Sequence, residues 1–169
     1  MLAESANRTK AGGQDLIGGL DVRVRRNYFG RQLQSFQAEL ELPFLDAGGP
    51  FKAMFIRAPV VETVLEPREG KHVEEETREE DMVVAPSRTV EKGKESVVGV
   101  KVEVMARLGR NAARKAVDGV VGAEKEEEGD IVAVRQGNVF GTSFHPELGG
   151  DERIHVWWLR EVLKGVDTG

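Results

Sequence analysis

The sequence predicts an α/β fold. Two kinds of strand pattern and one helix pattern point to it. Apolar and polar residues alternate through Phe36–Leu42 and Val98–Val104, as in half-buried strands. The apolar runs Ile131–Val134 and Val139–Phe144 flank a Gly-Asn turn, as in a β-hairpin. Asp151–Leu163 then carries apolar residues at helical spacing. A chain of 169 residues can bury a sizeable core, so one domain over 1–169 is expected.

Taken in order, Met1–Lys10 has helical composition but spans only a few turns, and it reads as the tail of a helix. Ala11–Asp15 and Gly18-Gly19 are turn material around Leu16-Ile17. Leu20–Val24 alternates as a short strand. In Phe36–Leu42 the residues Phe36, Ala38, Leu40 and Leu42 share one face. Phe51–Ile56 is an apolar strand ending at Arg57-Ala-Pro59, where an arginine at a strand terminus can face a cleft.

Between these strands lies Arg25–Gln32, a basic and aromatic loop. Arginines with aromatics can stack on nucleic acid. They can also grip a carboxylate by paired hydrogen bonds, or simply face solvent. The formal net charge of −5 disfavours nucleic acid and anionic membranes as partners. Two stretches, 62–96 and 108–130, are dense in mixed charge and read as charged insertions, the second with a helical turn at Ala113–Val117. His72 lies in the first, without the spacing of a metal site.

The closing helix has Asp151 as N-cap, with Ile154, Trp157, Trp158 and Val162 on its inner face. Lys164-Gly165 supplies a basic last turn and a stop. His155 has no acid arranged beside it and is read as structural; the tryptophans are packing residues.

The hairpin ends in His145-Pro146-Glu147. Pro146 lacks a backbone donor and pushes His145 into an extended conformation. Extended backbone places side chains i and i+2 on the same side, so the Glu147 carboxylate can hold one imidazole tautomer. That pairing is the base-plus-orienter half of a catalytic triad, without its nucleophile; a strand end with a surface His–Glu contact is the plainer alternative. The chain has no cysteine, so it has neither a disulfide framework nor a thiolate metal site. No apolar run approaches the ~18 residues of a membrane span. The N-terminus carries no apolar run of signal-peptide length, and a cytoplasmic protein is expected.

Three segments together resemble one family. They are Gly18–Val22 with Arg26–Phe36, Phe55-Ile-Arg-Ala-Pro59, and Val134–Asn138 with Thr142–Leu148. They are similar to the glutaminase subunits of pyridoxal 5'-phosphate synthase, a branch of the class I, triad-type glutamine amidotransferases. Ser-Phe-His-Pro-Glu marks the wider class; Arg-Asn-x-Phe-Gly-Arg-Gln and Phe-Ile-Arg-Ala-Pro are specific to the vitamin B6 branch. The resemblance implies the mixed-sheet amidotransferase fold, with the triad remnant at the carboxyl edge of the sheet. It implies that His145 is the general acid/base and Glu147 its orienter, and that Arg26, Ile56 and Arg57 bind L-glutamine. It further implies that the ammonia passes to a synthase subunit, with no cofactor, metal, nucleic acid or membrane involved.

The resemblance also sets up a departure. The family's cysteine lies in a Gly-Thr-Cys-Ala-Gly elbow, and the helix after it reads much like Met1–Ala6. The expectation is a chain that starts just past that elbow and lacks the oxyanion-hole segment, the Gly-rich glutamine loop and the first strands. Two functions are therefore carried forward. One is a glutaminase subunit whose chain, as written, is inactive alone. The other is a non-catalytic interaction protein that binds the synthase or a full-length sister subunit.

Overall fold

The computed structural model describes residues 2–7, 16–26, 28, 35–46, 48–65, 82–84, 100–109 and 130–167. Its strands are β1 (Ala3–Asn7), β2 (Leu20–Arg25), β3 (Ser35–Leu40), β4 (Phe51–Ile56) and β5 (Val60–Val64). They continue as β6 (Met82–Val84), β7 (Glu103–Leu108), β8 (Asp130–Gln136) and β9 (Val139–Thr142). A 3₁₀ turn over Pro146–Leu148 leads to the helix α1 (Arg153–Asp167). The large sheet runs β6-β1-β2-β5-β8-β7, with β9 also on β8, while β3 and β4 form a separate antiparallel ribbon. Among the described residues only β1 and β2 pair in parallel, so the sheet is mixed, as expected.

Alternation decides which side of each strand is buried. Leu20, Val22 and Val24 point into one core with Ala3, Ala6, Leu16 and Val134. Phe51, Ala53 and Phe55 of β4 point into the other, joined by Leu40 of β3, Leu108 of β7 and Val132 of β8. This second core lies between the ribbon and the large sheet, and Ile154 closes it from α1. Phe144 sits among its rings, 5.8 Å from Phe51 and 5.7 Å from Phe55, separations at which aromatic pairs attract. The hairpin is as expected: Gly137 opens its turn at φ 56°, the positive φ demanded of glycine at that position.

Five expectations are corrected. Ala3–Asn7 is a strand, not the tail of a helix. So short a helix is marginal by itself, whereas pairing with β2 and β6 satisfies the backbone along an otherwise open sheet edge. The strand expected at Val98–Val104 begins later, at Glu103, because it is set by its pairing with β8 from Leu108↔Asp130 to Glu103↔Arg135. Val100 and Val104 are consequently exposed, and Ala106 and Leu108 are buried in their place.

The charged stretches are also narrower than expected. Glu62–Val64 complete β5, Met82–Val84 form β6, and Leu108 and Asp130 belong to β7 and β8. Residues 66–81, 85–99 and 110–129, with His72 and Ala113–Val117, lie outside the described residues. Finally, α1 runs on through Gly165, whose Cα faces open space, and a helical glycine costs only about 1 kcal/mol. Its inner face continues from Ile154, Trp157 and Trp158 to Glu161 rather than to Val162, which is exposed. Position 161 completes the i, i+3, i+4, i+7 stripe, and there Glu161 meets Arg135 of β8 at 2.8 Å.

One buried polar residue stitches β2, β8 and the approach to β7. The Gln136 side chain accepts from the Asp21 backbone N–H at 2.8 Å. Its amide nitrogen donates to the Asp21 carboxylate at 2.6 Å and to the Val100 carbonyl at 2.8 Å. Leucine at this position would bury an unpaired backbone N–H and carbonyl. Gln136→Leu is expected to lower the unfolding free energy by about 1–3 kcal/mol. In a urea titration followed by tryptophan fluorescence this appears as a lower midpoint at unchanged slope.

Candidate active site

His145 adopts φ −98°, ψ 93°, the extended geometry that the following proline enforces. Its imidazole Nδ1 lies 2.9 Å from Glu147 Oε1, so the pairing expected from the i, i+2 spacing is present. With Nδ1 held by a carboxylate, Nε2 is the nitrogen left for proton transfer. The two side chains are 43% and 56% exposed, open to a reactant. Their hydrogen bond, with one to the Glu147 backbone, holds the Glu147 carboxyl below its ordinary value of 4.5.

The turn carrying this pair is seated on β4. The His145 N–H donates to the Met54 carbonyl at 2.8 Å, forming an isolated bridge between the end of the hairpin and the ribbon. Ser143 N–H donates to Val132 at 2.8 Å just before, and Leu148 N–H closes the 3₁₀ turn onto the His145 carbonyl at 3.3 Å. Gly149 then passes so close to β4 that an added Cβ would stand 2.8 Å from the Lys52 carbonyl oxygen. Asp151 caps α1 by accepting from the Arg153 N–H at 3.1 Å, as expected. The Arg153 guanidinium reaches back to the Gly49 carbonyl at 3.0 Å and the Pro50 carbonyl at 3.3 Å, fastening the helix start to the start of β4.

The Met54 bridge brings His145 to within two residues, along the chain, of Ile56 and three of Arg57. Both are exposed. Arg57 has φ 46°, a left-handed conformation that costs a non-glycine residue about 1–2 kcal/mol. Strain of this kind at an exposed side chain clusters at functional sites. Arg26 follows Arg25, which pairs with Val60 just after the Arg57-Ala58-Pro59 corner. Arg26, Arg57 and His145 thus each follow the C-terminal end of a strand, around the corner between β4 and β5.

The nucleophile is the missing element, since the sequence contains no cysteine. Among the described residues no group of three or more His, Asp or Glu could hold a metal ion. His155 is exposed on α1 rather than packed in a core. Trp157 and Trp158 are half-buried against Phe44 and Phe140, as packing residues. Met54 and Gly149 position the site without being singled out in the sequence. Gly149 had a visible signal, the Gly-Gly pair one residue after the His-Pro-Glu motif.

The profile of the SNO glutamine amidotransferase family matches residues 4–92 and 101–164. Similar curated proteins include the pyridoxal 5'-phosphate synthase subunit PdxT of Nocardioides sp., 39% identical over 142 residues, covering 84% of this chain and 46% of that protein. PdxT of Acidothermus cellulolyticus is 39% identical over 154 residues, covering 90% of this chain and 50% of that one. The probable subunit PDX2 of Arabidopsis thaliana is 35% identical over 175 residues, covering 99% and 56%. A crystal structure of a glutamine amidotransferase superposes with a TM-score of 0.53 at 31% identity, over 94% of this chain and 53% of the other. The chain spans about half the length of the curated relatives it matches.

Two outcomes test the geometry. Because Glu147 is held below its ordinary value, its contact with His145 contributes at pH above the ordinary carboxylate range and fades as pH falls through the lowered value. A carbon-detected NMR titration is expected to give Glu147 a midpoint below 4.5, and His145→Ala should return it toward that figure. Gly149→Ala forces its methyl onto the Lys52 carbonyl. It should destabilise the fold by about 1–3 kcal/mol and displace the amide resonance of His145.

Proposed function

The chain belongs to the SNO glutamine amidotransferase family, and from that membership we propose that it carries the acid/base half of a glutaminase site. The observation that carries this reading is the His145–Glu147 pair at 2.9 Å, seated on β4 beside Ile56 and Arg57. In this reading Arg26 and Arg57 grip the α-carboxylate of L-glutamine by charge-assisted hydrogen bonds, and Ile56 lines the side of its chain. A cysteine thiolate attacks the side-chain amide carbon. His145, oriented by Glu147, gives its Nε2 proton to the departing nitrogen, so ammonia leaves and a glutamyl thioester remains. His145 then takes a proton from the water that hydrolyses the thioester, and glutamate is released.

The ammonia serves a synthase subunit that makes pyridoxal 5'-phosphate, the role the relatives' names carry. Neither a cofactor nor a metal takes part, and the reaction proceeds in the cytoplasm. Among the described residues no helix is long and apolar enough to cross a membrane.

The absence of any cysteine favours a second reading for the 169-residue chain by itself. It would then be a non-catalytic partner of the synthase or of a cysteine-bearing sister subunit. Loss of a triad nucleophile costs orders of magnitude in rate, and no other residue here replaces a thiolate held against His145. The purified 169-residue chain is therefore expected to release no ammonia from L-glutamine above a protein-free control. The protein isolated from its source, assayed alongside with its intact mass and N-terminal sequence determined, separates the readings. A cysteine-bearing chain whose ammonia release falls at least a thousandfold in His145→Ala establishes the glutaminase. A native chain of the present mass that binds the synthase without releasing ammonia establishes the partner.

A further inference from the structure

The segment that follows His145 is laid along β4 in the antiparallel sense and meets it at three successive points. The His145 N–H bonds the Met54 carbonyl at 2.8 Å, and Gly149 then passes against the Lys52 carbonyl. Arg153 makes the third attachment, at the Gly49 and Pro50 carbonyls. Glu147 lies between the first point and the second, in a 3₁₀ turn. The turn's own closing bond, from Leu148 N–H to the His145 carbonyl, is long at 3.3 Å. A turn so loosely closed takes its shape from whatever holds its two ends.

The far end is held by one guanidinium used on several sides. Arg153 Nε and Nη2 lie 2.9 and 2.6 Å from the two carboxylate oxygens of Asp151, a paired salt bridge. Nη1 donates to the Gly49 carbonyl at 3.0 Å, and Nη2 also reaches the Pro50 carbonyl at 3.3 Å. The buried Phe51 ring stands 5.9 Å from the guanidinium carbon. Gly48 leaves the room this requires, since a Cβ there would stand 2.6 Å from Nη1.

We propose that the Asp151–Arg153 pair is a positioning clasp: by pinning the start of α1 to residues 48–51 it sets Glu147 against His145. The clasp rests on the glutaminase reading above and adds to it two residues that touch neither substrate nor reacting atoms. Misplacing a reacting group by an ångström costs rate steeply, so the orienting carboxylate needs a fixed backbone. A planar fork fixes direction as well as distance, which a point charge does not. The Arg153 bond also holds the Asp151 carboxyl below its ordinary 3.8, so the clasp stays ionised wherever a histidine titrates.

Arg153→Lys keeps the charge and much of the stem but cannot fill the fork. In a carbon-detected NMR titration it is expected to raise the Glu147 midpoint back toward 4.5 and to shift the His145 amide resonance. Gly48→Ala displaces the guanidinium while leaving Arg153 in the chain, and it should do the same. Val22→Ala, in the other core, is the control: it should lower the melting temperature and leave Glu147 low. Should one of the first two variants fail to fold, the other decides. If Glu147 stays low in a folded Arg153→Lys or Gly48→Ala, or rises as far in Val22→Ala, the clasp is wrong while the glutaminase reading stands. If the intact chain already titrates at 4.5, the His145–Glu147 pair is not formed and both fall together.

Discussion

The backbone contact that seats the site on the ribbon is the His145 N–H donated to the Met54 carbonyl. The hairpin β8–β9 belongs to the large sheet, whereas Met54 belongs to the separate β3–β4 ribbon. Nothing in either sheet's own hydrogen-bond ladder would bring histidine and arginine together. What holds the two layers in register is the ring packing of Phe51, Phe55 and Phe144, with Phe36 stacked on Phe55 at 4.7 Å. Phe144 is the residue immediately before His145. The same side chain that anchors the core therefore meters how far the His-Pro-Glu turn can move relative to β4.

A second layer of fastening lies behind the turn. Gln136 pins the hairpin to β2 through the Asp21 backbone. Arg135 bonds the Gly137 carbonyl at 3.0 Å and Glu161 of α1 at 2.8 Å, with Trp157 under its guanidinium at 5.9 Å. Glu161 is held below its ordinary range mainly by its bond to Lys164 and then by Arg135. Hairpin, helix and ribbon thus share contacts around one turn, which suits chemistry that demands sub-ångström placement of a proton donor.

Much of this was legible in the sequence where a local rule governs. Pre-proline sterics placed His145, and period-2 spacing put Glu147 beside it. Alternation predicted the buried faces of β2 and β3, and the Gly-Asn turn predicted the hairpin. What escaped were features set by pairing rather than by pattern. Ala3–Asn7 became a strand because an open edge of β2 was there to receive it. The valine alternation ahead of β7 lost its partner because β8 ends at the Gly137 turn. Glu161 displaced Val162 from the inner face of α1 because Arg135 waits opposite. In the site, the types of residue could be read, but their convergence on the corner between β4 and β5 could not, since it depends on which strands neighbour each other.

The left-handed backbone at Arg57 bears on how variation at this position should be interpreted. Glycine adopts φ 46° freely, which relieves the arginine's local cost, but it also enlarges the freedom of the unfolded chain by a similar amount. Folding stability is therefore almost indifferent between the two, at a residue to which the proposed function gives the grip on the substrate carboxylate. A survey that scored only soluble, well-folded variants would record Arg57 as freely replaceable. With stability indifferent, persistence of an arginine there among natural variants would be a signature of substrate binding that no folding assay registers.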